Sequence, residues 1–322
     1  MTYGFAGYLG LAKETTWGTP VAAASYFEAL SESLVSTLAR FQIKNIVGGA
    51  MYEPDDETGL YTHEGNIVAA AHPQVVGHFL RGCFGIQSTS VVLSGFLFKH
   101  DYYPILADAG SANALPPYTL EIFRDVTSSE QFAGVNFGSI DFEAAPNQDL
   151  RMTVKAIAKS KLFIARSVPV GSIASFPTSP TGVFKFDTAS ISVAGAADDS
   201  YASFKVSYDN QIQGVATLNG STSISRIRRS GPQLVRISGS IEFTDITDAL
   251  NFENQTEQRF TLSFTKANSF SLVFDMPRVV FSTFPRQMSG RDRIMVPFEG
   301  IGRFHTGSQN AIKVSLTTVN TF

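Results

Sequence analysis

The sequence predicts an all-β protein built from two tandem barrel- or sandwich-like domains. Three observations carry this. Stretches of period-two alternation recur roughly every 8–12 residues. The composition is aromatic and poorly charged, with 27 Phe, 12 % aromatic and only 16 % charged residues among 322, which suits sheets with much buried ring surface. One compound unit, a strand, a long polar loop, a strand and a short helix, occurs twice.

The clearer copy spans Tyr201 to Leu250. Phe204, Val206 and Tyr208 alternate with Lys205, Ser207 and Asp209, the pattern of a half-buried strand. A polar segment from Asn210 to Pro232 follows, and alternation resumes through Val235, Ile237, Ile241 and Phe243. Thr244 or Asp245 is placed to cap a helix through Ile246, Ala249 and Leu250. The earlier copy runs from Tyr26 to Leu34, then a loop from Lys44 to His63, then Gly65 to Val68, then a helix from Pro73 to Cys83. Val75, Val76, Phe79, Leu80 and Cys83 share one face of that helix. Gly65 and Gly239 are 174 apart, as are Ser33 and Ser207; Phe137 and Phe281 are 144 apart, as are Leu150 and Ile294. The difference of 30 places an insertion at about Ile86 to Pro117 in the first copy.

In chain order, residues 1–25 read as a glycine- and aromatic-rich arm, with Phe5, Tyr8 and Trp17 needing a surface to pack on. Residues 26–167 form the first domain, 168–182 a Pro/Ser/Gly-rich linker, and 183–322 the second domain. Further strands are expected at Tyr118–Arg124, Val135–Phe142, Leu150–Ala158, Val183–Val193, Phe260–Phe264, Phe270–Phe274, Arg278–Phe281, Ile294–Phe298 and Ile312–Leu316. The two long loops differ in charge. The first carries Glu53, Asp55, Asp56 and Glu57; the second carries Arg226, Arg228 and Arg229. Solvated loop charge is the plain reading. If the repeats alternate in an assembly, the acidic loop meets the basic one and sets register. Each loop, extended as a hairpin, would project roughly 30 Å.

Several function classes are excluded or unsupported. A formal charge of −3 gives no handle on nucleic-acid phosphate. A single cysteine, Cys83, rules out an intrachain disulfide framework and a cysteine-rich zinc site. His63, His72 and His78 lack the spacing of a metal set. Asp198-Asp199 has too few companion oxygens for calcium. No nucleophile elbow or phosphate loop is present, so no catalytic residue and no cofactor is assigned. No apolar run reaches the roughly 18 residues of a membrane span. The first residues lack a signal-peptide pattern, so synthesis in a cytoplasm is expected.

The segment Lys13-Glu14-Thr15-Thr16-Trp17-Gly18-Thr19-Pro20-Val21, followed by Ser31-Glu32-Ser33-Leu34, resembles the opening of major tail tube proteins of long-tailed bacteriophages. Phe204 to Asn210, Val235 to Phe243 and Met276-Pro277-Arg278-Val279-Val280-Phe281 are similar to later strands of that family. The resemblance implies tail-tube-type domains, each with a flanking helix and a projecting hairpin loop. It implies a virion protein, made in the host cytoplasm, whose rings of six such domains stack into a tube through which DNA leaves. Two such domains per chain make a trimeric ring the favoured form over a hexamer. The implied partners are further copies, the tape-measure protein and DNA in the lumen, and terminator and tip proteins at the ends. A tail-tip or baseplate ring component is the alternative, and a carbohydrate-binding β-sandwich a more distant one. If the acidic loop joins rings, deleting Gly48–Glu57 leaves folded subunits that form no tubes under the electron microscope.

Overall fold

A computed structural model describes residues 4–42, 56–93, 97–106, 115–168, 182–266, 270–286 and 293–322. Its first half contains β1 (Tyr8–Lys13), β2 (Ser25–Phe27), β3 (Ser31–Glu32), β4 (Val35–Gln42), β5 (Asp56–Ala70), α1 (Val76–Phe84), β6 (Gly85–Leu93), β7 (Leu97–Pro104), β8 (Tyr118–Phe123), β9 (Ser128–Ala144), β10 (Arg151–Ala158) and β11 (Ser160–Ala165). The second contains β12 (Ala189–Val193), β13 (Ala196–Ala197), β14 (Tyr201–Asp209), β15 (Ile212–Val215), β16 (Arg226–Arg229), β17 (Leu234–Glu242), α2 (Thr247–Glu253), β18 (Gln258–Thr265), β19 (Ser271–Thr283), β20 (Met295–Gly302) and β21 (Lys313–Thr318). The fold is all-β with two short helices.

β9 organises the molecule. Its first part pairs with β8 and β11, giving a sheet in the order β2-β1-β8-β9-β11. Its second part pairs with β10 and β14 and belongs to a longer sheet, β4-β5-β10-β9-β14-β17-β20-β19. β19 divides in the same way. Its first part lies between β18 and β21, and its last residues pair with β20. The strand order β5-β10-β9 of the first half recurs as β17-β20-β19 in the second. Ala156 faces Phe137, and 144 residues later Gly300 faces Phe281. The ladder then slips by one residue in both places, at Gly138 and at Ser282.

Alternation explains the burial. Met152, Val154 and Ala156 of β10 point into the core, as do Phe204, Val206 and Tyr208 of β14. One hydrophobic cluster runs through both halves. Phe142 of β9 packs on Phe274 of β19 at 4.8 Å between ring centroids, and Phe84 of α1 stacks on Tyr208 at 4.4 Å. Burying rings of this size dominates the stability of such a core. The helix face read from the sequence is the buried one: Val76, Phe79, Leu80 and Cys83 are all fully covered. The helix starts later than Pro73 because Val75 and Val76 first close a turn onto the His72 carbonyl.

Some expectations needed revision. Residues 1–25 are not simply an extended arm, because β1 is hydrogen-bonded between β2 and β8. The two strands expected at Phe270–Phe274 and Arg278–Phe281 are one strand; Pro277 sits where β19 shifts register against β18, a place where a missing amide donor is tolerated. The spacing that matched Ser33 to Ser207 is displaced. Gly65 lies under the Ser33 carbonyl and Gly239 under the Ser203 carbonyl, each too close for a Cβ. Ser203 is therefore the counterpart of Ser33. The inserted segment forms the β6–β7 hairpin, and β7 pairs with β21 of the other half. The linker residues 169–181 lie outside the described part.

The histidines give the fold an acid-sensitive edge. Burial lowers both His72 and His78 from the usual 6.5 to about 4, with Lys266 and Arg81 nearby adding to the effect. A folded-state value below the unfolded one means the unfolded chain takes up more protons between these limits. Stability therefore falls as pH drops from about 6.5 towards 4. For His78, which contacts Tyr118 and Phe322, the loss is about 2 kcal/mol after allowing for partial exposure. Urea unfolding at pH 7.5 and 4.5 should show this drop, and His78→Gln should lessen it.

Candidate assembly surface

The corner at which β9 leaves one sheet for the other is held by the Glu14–Trp17 segment. Glu14 is buried. Its Oε1 accepts from Thr119 Oγ1 at 2.7 Å and from the Gly134 amide at 2.8 Å, and its Oε2 accepts from the Gly18 amide at 2.8 Å. Trp17 Nε1 donates to the Gly134 carbonyl at 3.0 Å, and Lys159 Nζ lies 4.6 Å from the Trp17 ring centre. Gly134 has φ +66°, and a Cβ there would meet Lys159 and Trp17. Only glycine suits such a position. Tyr8, on β1, stacks on Phe123 at 5.2 Å and donates to Glu121 Oε1 at 2.7 Å. Burial pushes the Glu121 carboxyl up, but hydrogen bonds from Ser167 and Tyr8 outweigh it and hold the carboxyl low. Trp17 and Tyr8 thus pack on their own chain. The side chain of Phe5 lies outside the described part.

The second motif of the N-terminal region closes the other end. Glu32 takes a two-pronged contact from Arg124, at 2.7 and 3.0 Å, and Arg124 also reaches Glu130 at 2.6 Å. This ties β3 to the ends of β8 and β9. Glu14 and Glu32 are functional in this sense yet carry no signature of their own. Their only signal is an acidic residue set among apolar and hydroxyl neighbours.

The seam between the halves is the ladder β9–β14, in which Val206 faces Phe142 and Tyr208 faces Ile140. Ser207 donates to Asp141 across it, and Lys205 Nζ stands 3.1 Å from the same carboxylate. Past the seam the chain turns back. Asn210 is fully buried, donates to the Cys83 carbonyl at 2.5 Å and accepts from Tyr208 Oη at 2.9 Å. The hairpin β15–β16 then lies over the first half, where Ile224 and Ile227 cover Ile157 beside Trp17 and Ile212.

The charged loop residues fall as follows. Glu53 and Asp55 lie outside the described residues. Asp56 and Glu57 open β5, and Asp56 stands 3.7 Å from Arg40 of its own hairpin. Arg226, Arg228 and Arg229 form β16, and Arg229 reaches Asn210 Oδ1 at 3.4 Å. The two loops do touch, through the Tyr61 amide and the Thr222 carbonyl at 2.8 Å. The three histidines are engaged separately: His63 with Ser36 Oγ at 2.8 Å, His72 with the Gln74 amide at 3.2 Å, His78 with Ser25 Oγ at 3.5 Å. Among the described residues no cluster of metal-ligating side chains occurs, and no helix is long and apolar enough to cross a membrane.

The long sheet is open at both ends. β4 pairs only with β5, and the last residues of β19, from Val280, pair only with β20, among the described residues. The face of the long sheet turned away from the core is polar and mixed in sign: Asp141, Glu143 and Glu299 stand among Lys155, Lys205 and Arg236.

If Glu14 fixes the corner, Glu14→Ala leaves three donors without their acceptor and should cost about 2–4 kcal/mol. Glu14→Gln, which keeps one acceptor oxygen, should cost less. Thermal unfolding of the two variants measures the difference.

No curated protein matches the chain. The sequence profile described as phage tail tube protein matches residues 4–302. With nearly its whole length covered, and with an all-β fold, the chain belongs to the phage tail tube protein family and is a structural protein of the phage tail.

Proposed function

We propose that the chain polymerises into stacked rings that form the tail tube and the conduit for DNA ejection, with three chains per ring. The observation that carries this is the β9–β14 seam. It fuses two halves of the same strand order into one continuous sheet and leaves an open edge at each end, β4 and β19. A sheet that already contains one joint between equivalent halves needs only the same joint between chains to close. Three chains would supply six repeats. Open edges that threaten aggregation in a monomer serve as assembly surfaces in a ring.

The polar face of the long sheet lines the lumen on this reading. Its charges are partly paired, with Lys205 3.1 Å from Asp141 and Lys155 3.9 Å from Glu64. Such a surface has no basic stripe to grip phosphate and slow DNA. The tape-measure protein and DNA would occupy the lumen without specific binding, and terminator and tip proteins would meet the two ends.

Negative-stain microscopy of the purified protein, with symmetry averaging and mass measurement of rings, tests the proposal. Long tubes with three chains per ring are expected. Six chains per ring would keep the tube and remove the role given to the two halves. Single rings that never stack would point to a tail-tip component.

A further inference from the structure

The second half holds a cleft that neither the seam nor the open strand edges use. β12 pairs with β13 and β18, and β14 pairs with β17 and β9. Where β12 and β14 part, a cleft of about 490 Å³ opens, a size that suits a small organic ligand. We propose that this cleft binds an aliphatic diamine or polyamine. One ammonium group is held between Tyr201 and the carboxylates of Asp198 and Asp248, and the methylene chain lies along the apolar wall.

The wall comes from several strands. Ile191 of β12, Leu262 of β18 and Phe204 of β14 line it, and Phe186 stands beside them. Methylene groups leave water readily for such a surface. Two of the four side chains are aromatic, which also favours a cation.

The polar end carries one sign of charge. Asp198 and Asp199 line the cleft, and among the described residues no Lys, Arg or His does. Asp198 Oδ1 accepts from the Ser200 amide at 3.0 Å and from Ser200 Oγ at 2.5 Å, which fixes its place. Asp248 of α2 is half-buried. Burial raises its carboxyl above the usual value, and the charges of Asp198 and Asp245 raise it further. Among the described residues no cationic side chain pairs with Asp198, Asp199 or Asp248.

Tyr201 points to a ligand independently. It is 8 % exposed, and its hydroxyl has no hydrogen-bond partner. Its ring meets Phe204, Phe260 and Phe298 edge to face, at 5.9, 6.2 and 5.4 Å between centroids. Burial raises the hydroxyl above its ordinary value, and the charges of Asp248 and Asp198 add to this, which sets the hydroxyl beside the acidic end of the cleft. A buried hydroxyl left unpaired is costly. An ammonium has donors only. It would give one to the phenol oxygen and the others to the carboxylates, and so satisfy both kinds of group at once. A bare metal ion suits the site less well, because among the described residues no three His, Cys, Asp or Glu side chains are grouped to hold one. A lysine side chain would bring one charge against three carboxylates, whereas a diamine or polyamine brings two or more on one chain.

The site lies within one chain and does not depend on ring formation. Isothermal titration of the full chain with putrescine and spermidine tests it, with 1,4-butanediol and Mg²⁺ titrated alongside. One saturable site per chain is expected for each amine, and none for the diol or the metal. Tyr201→Phe keeps the ring among its Phe neighbours, and Asp248→Asn keeps the shape of the side chain. Circular dichroism establishes that both variants fold. Each should weaken amine binding about tenfold, the loss expected for one hydrogen bond to a charged group. No saturable binding of either amine overturns the proposal, as do folded variants that bind like the wild type. Equal binding of 1,4-butanediol or Mg²⁺ also overturns it. So does tighter binding of Nα-acetyl-lysine methylamide than of putrescine, which would assign the cleft to a protein side chain.

Discussion

The structure depends on one strand serving two sheets. β9 runs 17 residues without interruption, and every other element is placed relative to it. A flat strand cannot do this, so the change of sheet needs a local break in the ladder. Gly134, with its positive φ, and the bulge at Gly138 provide it. A glycine corner is soft by itself. The buried Glu14 carboxylate makes it rigid, because its acceptor oxygens collect donors from three segments: Gly18 in the N-terminal turn, Thr119 in β8, and Gly134 in the corner. A buried charge held this way is costly to leave half-satisfied. The geometry of the N-terminal segment and that of the hub strand are therefore fixed together.

The same one-residue slip recurs at Ser282, where the residue is not glycine. What the halves share is the ladder register, not the side chains that secure it. This explains why identity between the halves is low while strand order is kept. Register in a sheet with one buried face is strongly specified, since a slip of one residue would turn the core-facing set to solvent. Sequence can drift under that constraint as long as the alternation survives.

Much of the fold was legible for that reason. The alternating runs at Tyr118, Leu150, Tyr201 and Val235 announce strands, and the apolar face of α1 announces its buried side. What period-two patterns cannot carry is partner choice. β7 finds β21 more than 200 residues later, and nothing in Phe98 to Tyr103 names that partner. β11 was missed because Lys161, Leu162 and Phe163 keep no clean alternation when both faces are largely open. The charged loops show another limit: charge sign is visible in sequence, but the partner is not, and within the chain Asp56 stands 3.7 Å from Arg40 of its own hairpin. Glu14 and Glu32 carry no periodicity or spacing of their own in the sequence. Their work depends on Gly134 and Arg124, roughly a hundred residues away.

On the ring-forming reading proposed above, a subunit must not add strands indiscriminately, and β4 carries a feature that limits this. Its edge is not open along its whole length. The Leu34 amide is taken by Glu32 Oε2 at 3.0 Å, and the Leu34 carbonyl by Arg124 at 2.9 Å. Arg124 is itself held between Glu32 and Glu130. The capping groups are side chains, so they cover the edge without extending the sheet, and the charges they place there discourage a foreign strand. Only the outward groups from Ser36 onward are left to pair. An incoming edge must therefore be short and must end where this cap begins. The Arg124–Glu32 pair thus sets how much of β4 is offered, and so restricts which edge can use it.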